Sequence, residues 1–276
     1  MRLAAVGHTE WIEFVRGDHV PAAGEIVHAQ HSFEEPAGGG AVAAVQLARL
    51  AGGAGFLTAL GDDELARRTR ARLAELGVTI RDATRAGPTR RGLTFVDANG
   101  ERTIITIGDR LVPHGADDLD WDELRHTDGV YLTAADGAAL HAARAAGVLV
   151  ASPRAGRVLH EEGVRLDALV YSDNDEFEID YARALEPTPT LLVATRGREG
   201  GRYETAQGQS GTWDAAPLPG PIVDSYGAGD SFAAALTFAL ARGMDPDAAL
   251  ALAARAGAAC LTGHGPYEHQ LTAEAL

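Results

Sequence analysis

Lysine is missing from this sequence of 276 residues, and all 24 basic residues are arginine. Its absence excludes a Walker A loop, whose lysine reaches the nucleotide phosphates, and any Schiff-base mechanism. A phosphate ligand must therefore be met by backbone N–H groups, arginine or metal. Cysteine is nearly missing. The one present, Cys260, excludes an internal disulfide and any multi-cysteine metal site, and its apolar helical surroundings read as a buried thiol. No apolar run approaches the ~18–20 residues of a membrane span. The stretch Met1–Gly7 is too short for a signal peptide and reads as a first strand, so a cytoplasmic location is expected. Positive charge is in deficit as well. A formal net charge of −15 speaks against nucleic acid or an anionic membrane as partner, yet one small basic pocket remains compatible with it. The ten histidines show no H-E-x-x-H or comparable metal spacing.

What is present is a rhythm of short apolar runs and longer amphipathic ones. Leu3–Val6, Gly55–Ala59, Val130–Ala134, Val148–Ala151, Ala168–Tyr171 and Leu191–Thr195 read as strands. Ala41–Ala51, a helix opened by Asp62-Asp63, Ser231–Arg242 and Pro246–Leu261 read as helices, the last with Asp245 as N-cap. Strands alternating with helices predict a parallel sheet covered on both faces. Two regions break the rhythm. Trp11–Val15 and Glu25–Ser32 are extended, and Leu93–Val96 and Thr103–Ile107 flank Asp97-Ala98-Asn99-Gly100, a strong hairpin signal. Lacking helices between them, these strands, within about 10–33 and 92–108, are expected to form a small separate sheet, a lid on one α/β domain spanning 1–276. No internal repeat or low-complexity linker divides the chain.

The densest chemistry lies in Asp224-Ser225-Tyr226-Gly227-Ala228-Gly229-Asp230-Ser231-Phe232, directly before a helix. Small residues there leave backbone N–H groups unpaired beside the positive end of the helix dipole, which makes an anion site. An aspartate facing a substrate hydroxyl at such a site can accept its proton as the hydroxyl attacks a γ-phosphate. Read alone, the tetrad Gly227–Asp230 is also compatible with a simple helix cap after a Gly-rich turn.

This segment closely resembles the C-terminal signature of the PfkB, ribokinase-like carbohydrate kinases, with serine for threonine at 225. The resemblance extends along residues 3–265. Gly38-Gly39-Gly40-Ala41-Val42-Ala43 with Leu47-Ala48-Arg49-Leu50 is similar to the family's Gly-Gly motif and helix. Leu60-Gly61-Asp62-Asp63 resembles its Gly-x-Asp, and Thr195-Arg196-Gly197-Arg198-Glu199-Gly200 its Thr-x-Gly-x-x-Gly turn. The resemblance implies a three-layer αβα sandwich with a β lid, and an enzyme that transfers phosphate from ATP, accompanied by Mg²⁺, to a sugar. It implies Asp230 as base and Gly227, Ala228 and Gly229 as anion hole. Thr195, Gly197, Gly200 and Ser172 would lie along ATP, and Gly38 and Gly39 would let the backbone approach the sugar. It implies a monovalent cation, K⁺, near Asp224 and Ser225 in many members, and a homodimer through the lid in some.

Three positions depart from the family pattern. Its sugar-binding asparagine falls at Ala43 and its early aspartate at Ile12, so Glu10 or Glu13 is left to supply a carboxylate, with Glu10 the candidate. Its Asn-x-x-Glu motif appears as Ser172-Asp173-Asn174-Asp175, with Asp175 retaining a carboxylate for Mg²⁺. The sugar end is thus altered while the catalytic end is intact. A nucleoside or phosphosugar acceptor, and a non-catalytic sugar or nucleotide binder of the same fold, stay open. Arginines facing the acceptor cleft would favour the phosphosugar. His8, Arg90, Arg91 and Arg102 are candidates to touch a substrate, against readings as a hydrogen-bonded histidine and a solvated strand edge.

Overall fold

A computed structural model describes residues 1–276. The six expected strands and a seventh, β5, form a parallel array: β1 (Leu3–Val6), β4 (Ala54–Leu60), β5 (Val78–Thr84), β8 (Gly129–Leu132), β9 (Val148–Ala151), β10 (Ala168–Ser172) and β11 (Leu191–Thr195). Two antiparallel strands, β12 (Gly201–Thr205) and β13 (Ser210–Trp213), extend it to nine, in the order β13-β12-β11-β10-β9-β8-β1-β4-β5. The central strands are short and apolar throughout because both faces are covered. Their residues alternate between two cores. Ala5 and Tyr131 join the 38-residue cluster on one face, built with α1 (Gly39–Ala51), α6 (Ala228–Ala241) and α7 (Pro246–Cys260). Ala4, Val6, Val130 and Leu132 join the 21-residue cluster on the other, built with α3 (Gly137–Arg144), α4 (Val158–Glu162) and α5 (Glu176–Ala184). The three-layer ribokinase-like sandwich expected from the sequence is what forms.

The remaining helix, α2 (Glu64–Glu75), starts where the acidic pair predicts: Asp63 is the N-cap and accepts from Ala66 N at 2.9 Å. Asp245 likewise caps α7, accepting from Ala248 N. Helix α6 begins earlier than its apolar spacing suggests, at Ala228 rather than Ser231. Gly227 as N-cap, with φ 81°, turns the chain into the helix before the apolar residues start, so Asp230 sits inside the first turn.

The four strands outside the rhythm form a separate sheet, in the order β3-β2-β6-β7. They are β2 (Glu10–Arg16), β3 (His31–Ala37), β6 (Arg91–Val96) and β7 (Arg102–Ile107). The hairpin at Asp97–Gly100 is present, with β6 and β7 antiparallel. The second strand differs from the expectation. Residues 25–29 are irregular and mostly exposed, and the strand runs from His31 to Ala37 because the antiparallel register with β2 pairs Arg16 with His31 and Glu10 with Ala37. This small sheet is tied down on two sides. Arg72 pairs with Glu35 at 2.7 Å, Arg68 with Glu34 at 2.9 Å, and Arg68 also stacks on the Trp11 ring, joining the sheet to α2. Opposite, Ser225 N donates to Gly100 O, Arg16 Nη1 to Val223 O and Arg102 Nη1 to Ser225 O, at 2.8–3.1 Å.

Candidate active site

The first turn of α6 faces two ways. Its first intrahelical donor is Ser231 N, which bonds Gly227 O at 2.8 Å, so the amides of Ala228, Gly229 and Asp230 have no backbone acceptor. These are the unpaired groups the Gly-rich spacing predicts, at the positive end of the helix dipole. Gly227 is required twice over: its φ is left-handed, and a Cβ would lie 2.9 Å from both Val42 and Pro266. Gly229 meets nothing within 4 Å of such a Cβ, so the turn is open on this side.

That open side is a cavity of about 450 Å³ lined by Thr195, Gly197, Gly200, Trp213, Ser225, Ala228, Gly229 and Gly257, among others. Three of the four residues expected along a nucleotide thus meet the anion hole in one cavity. The turn after β11 is shaped by Gly197 (φ 57°) and Gly200 (φ 74°), and a Cβ at Gly200 would strike the Trp213 carbonyl oxygen at 2.0 Å. Ser172, the fourth, is beside Thr195 in the strand register but does not line the cavity; its Oγ accepts from Asn174 N.

On its other side the turn presents Asp230. The carboxylate is half-buried, and burial raises its pKa to about 6 although Arg102, Arg154 and Arg110 each pull it down. Gly39 packs directly on it: a Cβ there would be 2.8 Å from Oδ1. Gly38, with φ 88°, lies against His8 and Glu10, whose atoms are 3.2–3.4 Å from its Cβ position. The Tyr131 hydroxyl stands beside Asp230 and Ser152 and is kept protonated, first by burial and then by the charge of Asp230. Asp230, Gly38, Gly39 and Glu10, expected at the acceptor, are therefore brought side by side.

The sequence reading named His8 and Arg90 here but missed Arg110 and Glu178. Arg110 follows β7 and reaches His8 Nδ1 at 2.8 Å, Thr133 O at 3.1 Å and Arg154 O at 2.8 Å. Arg90 stands 3.2 Å from Glu10, whose carboxyl pKa is raised by burial against the pull of Arg90 and Arg110. Glu178 is buried and accepts from Ser172 N at 2.9 Å while its other oxygen pairs with Arg154 at 2.9 Å. Asp175, expected near a metal, is the N-cap of α5, and its Oδ1 accepts from Phe177 N and Glu178 N. Both α5 carboxylates are thus engaged, Asp175 as a cap and Glu178 with Ser172 N and Arg154. The signal for Glu178 was in the sequence: it shares the buried stripe of α5 with Tyr181 and Ala182. Ile12 and Ala43, which stand where the family's hydroxyl ligands fall, are fully buried core residues.

Asp224 is also buried. Its two oxygens accept from Tyr226 N at 2.8 Å and Gly265 N at 3.1 Å, yet desolvation still raises its pKa. No group of three or more His, Cys, Asp or Glu side chains is arranged to hold a metal ion by itself. No helix is long and apolar enough to cross a membrane.

Known proteins with the same arrangement are consistent in kind. A ribokinase from Arabidopsis thaliana, solved in complex with ribose and ATP, superimposes with a TM-score of 0.78 at 21% identity, covering 99% of this chain and 96% of that one. A fructokinase from Klebsiella pneumoniae is 31% identical over 281 residues, 86% of this chain and 90% of its own. An ATP-dependent ribose-1-phosphate kinase from Halopiger xanaduensis is 27% identical over 248 residues, 85% of this chain and 83% of its own. The family model for pfkB carbohydrate kinases matches residues 1–273. With the Gly-rich turn, the helix it opens and the two-sheet architecture all in register, the chain belongs to the pfkB family and is a ribokinase-like sugar kinase.

Proposed function

We propose that the protein transfers the γ-phosphate of ATP to a sugar hydroxyl, with Asp230 as general base and the amides of Gly227, Ala228 and Gly229 as anion hole. One observation carries this reading. The first turn of α6 opens onto the nucleotide-sized cavity through Ala228 and Gly229 and sets Asp230, in the same turn, against Gly39. A hydroxyl at Asp230 and a phosphoryl group at the free amides would be neighbours. Little covalent chemistry is asked of the protein in such a transfer. The carboxylate takes the proton, and fixed N–H dipoles meet the charge that develops on the phosphoryl oxygens. One well-placed donor of that kind is worth about 3–4 kcal/mol in the transition state. Thr195, Gly197 and Gly200 would hold the nucleotide, with Ser172 behind them, and Gly38, Gly39 and Glu10 would contact the acceptor.

Mg²⁺ would enter with ATP, since no ready-made cage exists; bound this way it neutralises phosphate charge. The carboxylates nearest its path are Asp175 and Glu178, both already paired with Arg154. A monovalent cation at Asp224 and Ser225 is supported by the raised pKa of Asp224, a buried acid whose two N–H partners leave its charge under-compensated. Faster turnover in K⁺ than in equimolar tetramethylammonium is the expected sign of it. The small sheet would act as a lid that excludes water, a competing acceptor. Its edge strand β7 leaves Ile104, Ile105 and Ile107 between 41% and 57% exposed, which supports a homodimer through this sheet. An ATP-consuming reaction fits a cytoplasmic location.

The relatives named above act, by their names, on fructose and on ribose 1-phosphate, and those acceptors come first in an assay. ADP release would be followed across neutral sugars, nucleosides and sugar phosphates, with Asp230→Asn alongside. Release dependent on one acceptor class and lost in the variant is expected. No acceptor-dependent release from any class would leave a non-catalytic binder of the same fold.

A further inference from the structure

We infer that the acceptor carries an anionic group, a phosphate ester or a carboxylate, received by the guanidinium of Arg110 with Arg90 beside it. This rests on the reading of the Asp230 cleft as the acceptor site. Arg110 is the starting point because its charge is unmatched. It is partly buried, yet its three hydrogen bonds go to neutral acceptors, the His8 ring and two carbonyl oxygens. It makes no ion pair within 4.0 Å, and its Nε has no partner. Burial lowers its pKa and the nearby charge of Arg90 lowers it further, while Glu10 and Asp230, neither in direct contact, offset this only in part. A desolvated guanidinium that meets no carboxylate is expensive unless a ligand completes it.

His8 shows how Arg110 is aimed. Its Nδ1 accepts from Arg110, so the ring is neutral with its proton on Nε2. Burial, then Arg110 and Arg90, push its pKa well below the ordinary imidazole range, so it stays neutral across physiological pH. His8 is thus a positioning residue, holding the planar fork in one orientation as a protonated histidine would not.

The Arg90–Glu10 pair is only half made. The 3.2 Å approach of Nε to Oε2 is not aligned for a hydrogen bond, and both atoms are buried without another partner. Burial also raises the pKa of Glu10, so this carboxylate is a weak claimant on Arg90. A ligand anion beside these two partly buried guanidiniums would compensate both charges together.

Position agrees with this. His8 and Glu10 abut Gly38, and Asp230 abuts Gly39. Gly38 and Gly39 are consecutive, so His8 and Glu10, which hold the arginines, stand next to the proposed base along one turn of backbone. The two sites where relatives place hydroxyl ligands are apolar core here, Ile12 and Ala43.

The test is calorimetric titration of the full-length protein without ATP, which needs no turnover. The probes are ribose, fructose, ribose 5-phosphate, fructose 1-phosphate, fructose 6-phosphate and gluconate. At least one anionic sugar should bind about 10–100-fold more tightly than its neutral parent, the scale of one charge-assisted pair. Arg110→Gln should remove that advantage while changing neutral-sugar binding by less than about threefold. Arg110→Lys, which keeps the charge and loses the fork, should fall between and guards against a misfolded variant. Phosphate esters binding while gluconate does not identifies the anion as phosphate, and the reverse identifies carboxylate. Neutral sugars binding as well as every charged one, or an Arg110→Gln advantage equal to wild type, overturns the inference. Anion binding intact with no ATP-dependent turnover would sink the kinase reading alone.

Discussion

Replacing Asp230 by asparagine should make the protein both inactive and more stable. The folded site holds this carboxyl at a pKa of about 6 against an ordinary 3.8, chiefly by desolvation. Below pH 3.8 folded and unfolded chains both carry the proton, and the group costs nothing. Between there and about pH 6 the unfolded chain releases its proton while the folded one keeps it, so stability falls as pH rises. At about 1.4 kcal/mol per unit the loss levels off near 3 kcal/mol above pH 6. Water reaches the half-buried carboxylate, so the neutral amide should recover about 1–3 kcal/mol. For a chain of this size that is a rise in Tm of roughly 2–10 °C at pH 7.5, shrinking to nothing near pH 4. Differential scanning calorimetry at the two pH values reads it. Turnover should fall about 10²–10⁴-fold, the usual worth of a general base. An asparagine variant that melts lower than wild type at pH 7.5 would refute the claim that the site holds Asp230 under strain. One that turns over normally would remove Asp230 as the base.

Three further outcomes are expected. Because the base must be ionised, kcat/KM should rise with pH through about 6 and lose roughly tenfold per unit below it, as a pH–rate profile would show. Gly39→Ala should fold, since Gly39 is helical with ordinary φ, but its methyl would sit 2.8 Å from Asp230 Oδ1. Displacing the carboxylate by a fraction of an ångström should lower kcat at least about 100-fold with Tm within a few degrees. Trp213 lines the nucleotide cavity, so ADP should change the intrinsic fluorescence of the wild type and have little effect on that of Trp213→Phe.

Much of the site was legible because its chemistry is local in the chain. Gly227–Asp230 and Thr195–Gly200 are runs of consecutive residues, so the turns they form could be read from their spacing, while the roles proposed for them come from the family resemblance. The Asn99-Gly100 turn is local in the same way, and the hairpin is where it was expected. Arg110 was not legible, because it owes its role to a group far away in sequence. The ring of His8 lies 102 residues from Arg110. Glu178 is defined by Arg154 and by the Ser172 amide, and a reader of the sequence meets Asp175 first, a stronger match to an expected carboxylate that turns out to cap a helix. Strand β3 was misplaced for a related reason. Its limits are set by pairing with β2, and nothing in residues 25–37 marks the register.

The contacts that hold the small sheet against the body have a consequence for the rate-limiting step. Ser225, at the mouth of the anion hole, receives both the Gly100 carbonyl and the Arg102 guanidinium, and Arg16 holds the adjacent Val223. At about 1 kcal/mol for each such bond, opening this side costs on the order of 3 kcal/mol, so fewer than about 1% of molecules would be open at any moment. The bonds fall on a segment that lines the cavity, so release of a nucleotide past this side would require them to break. Chemistry would then outrun release. Mixing enzyme and substrates rapidly should give a burst of one equivalent of ADP ahead of the steady rate, and shortening the Arg102 side chain should flatten it.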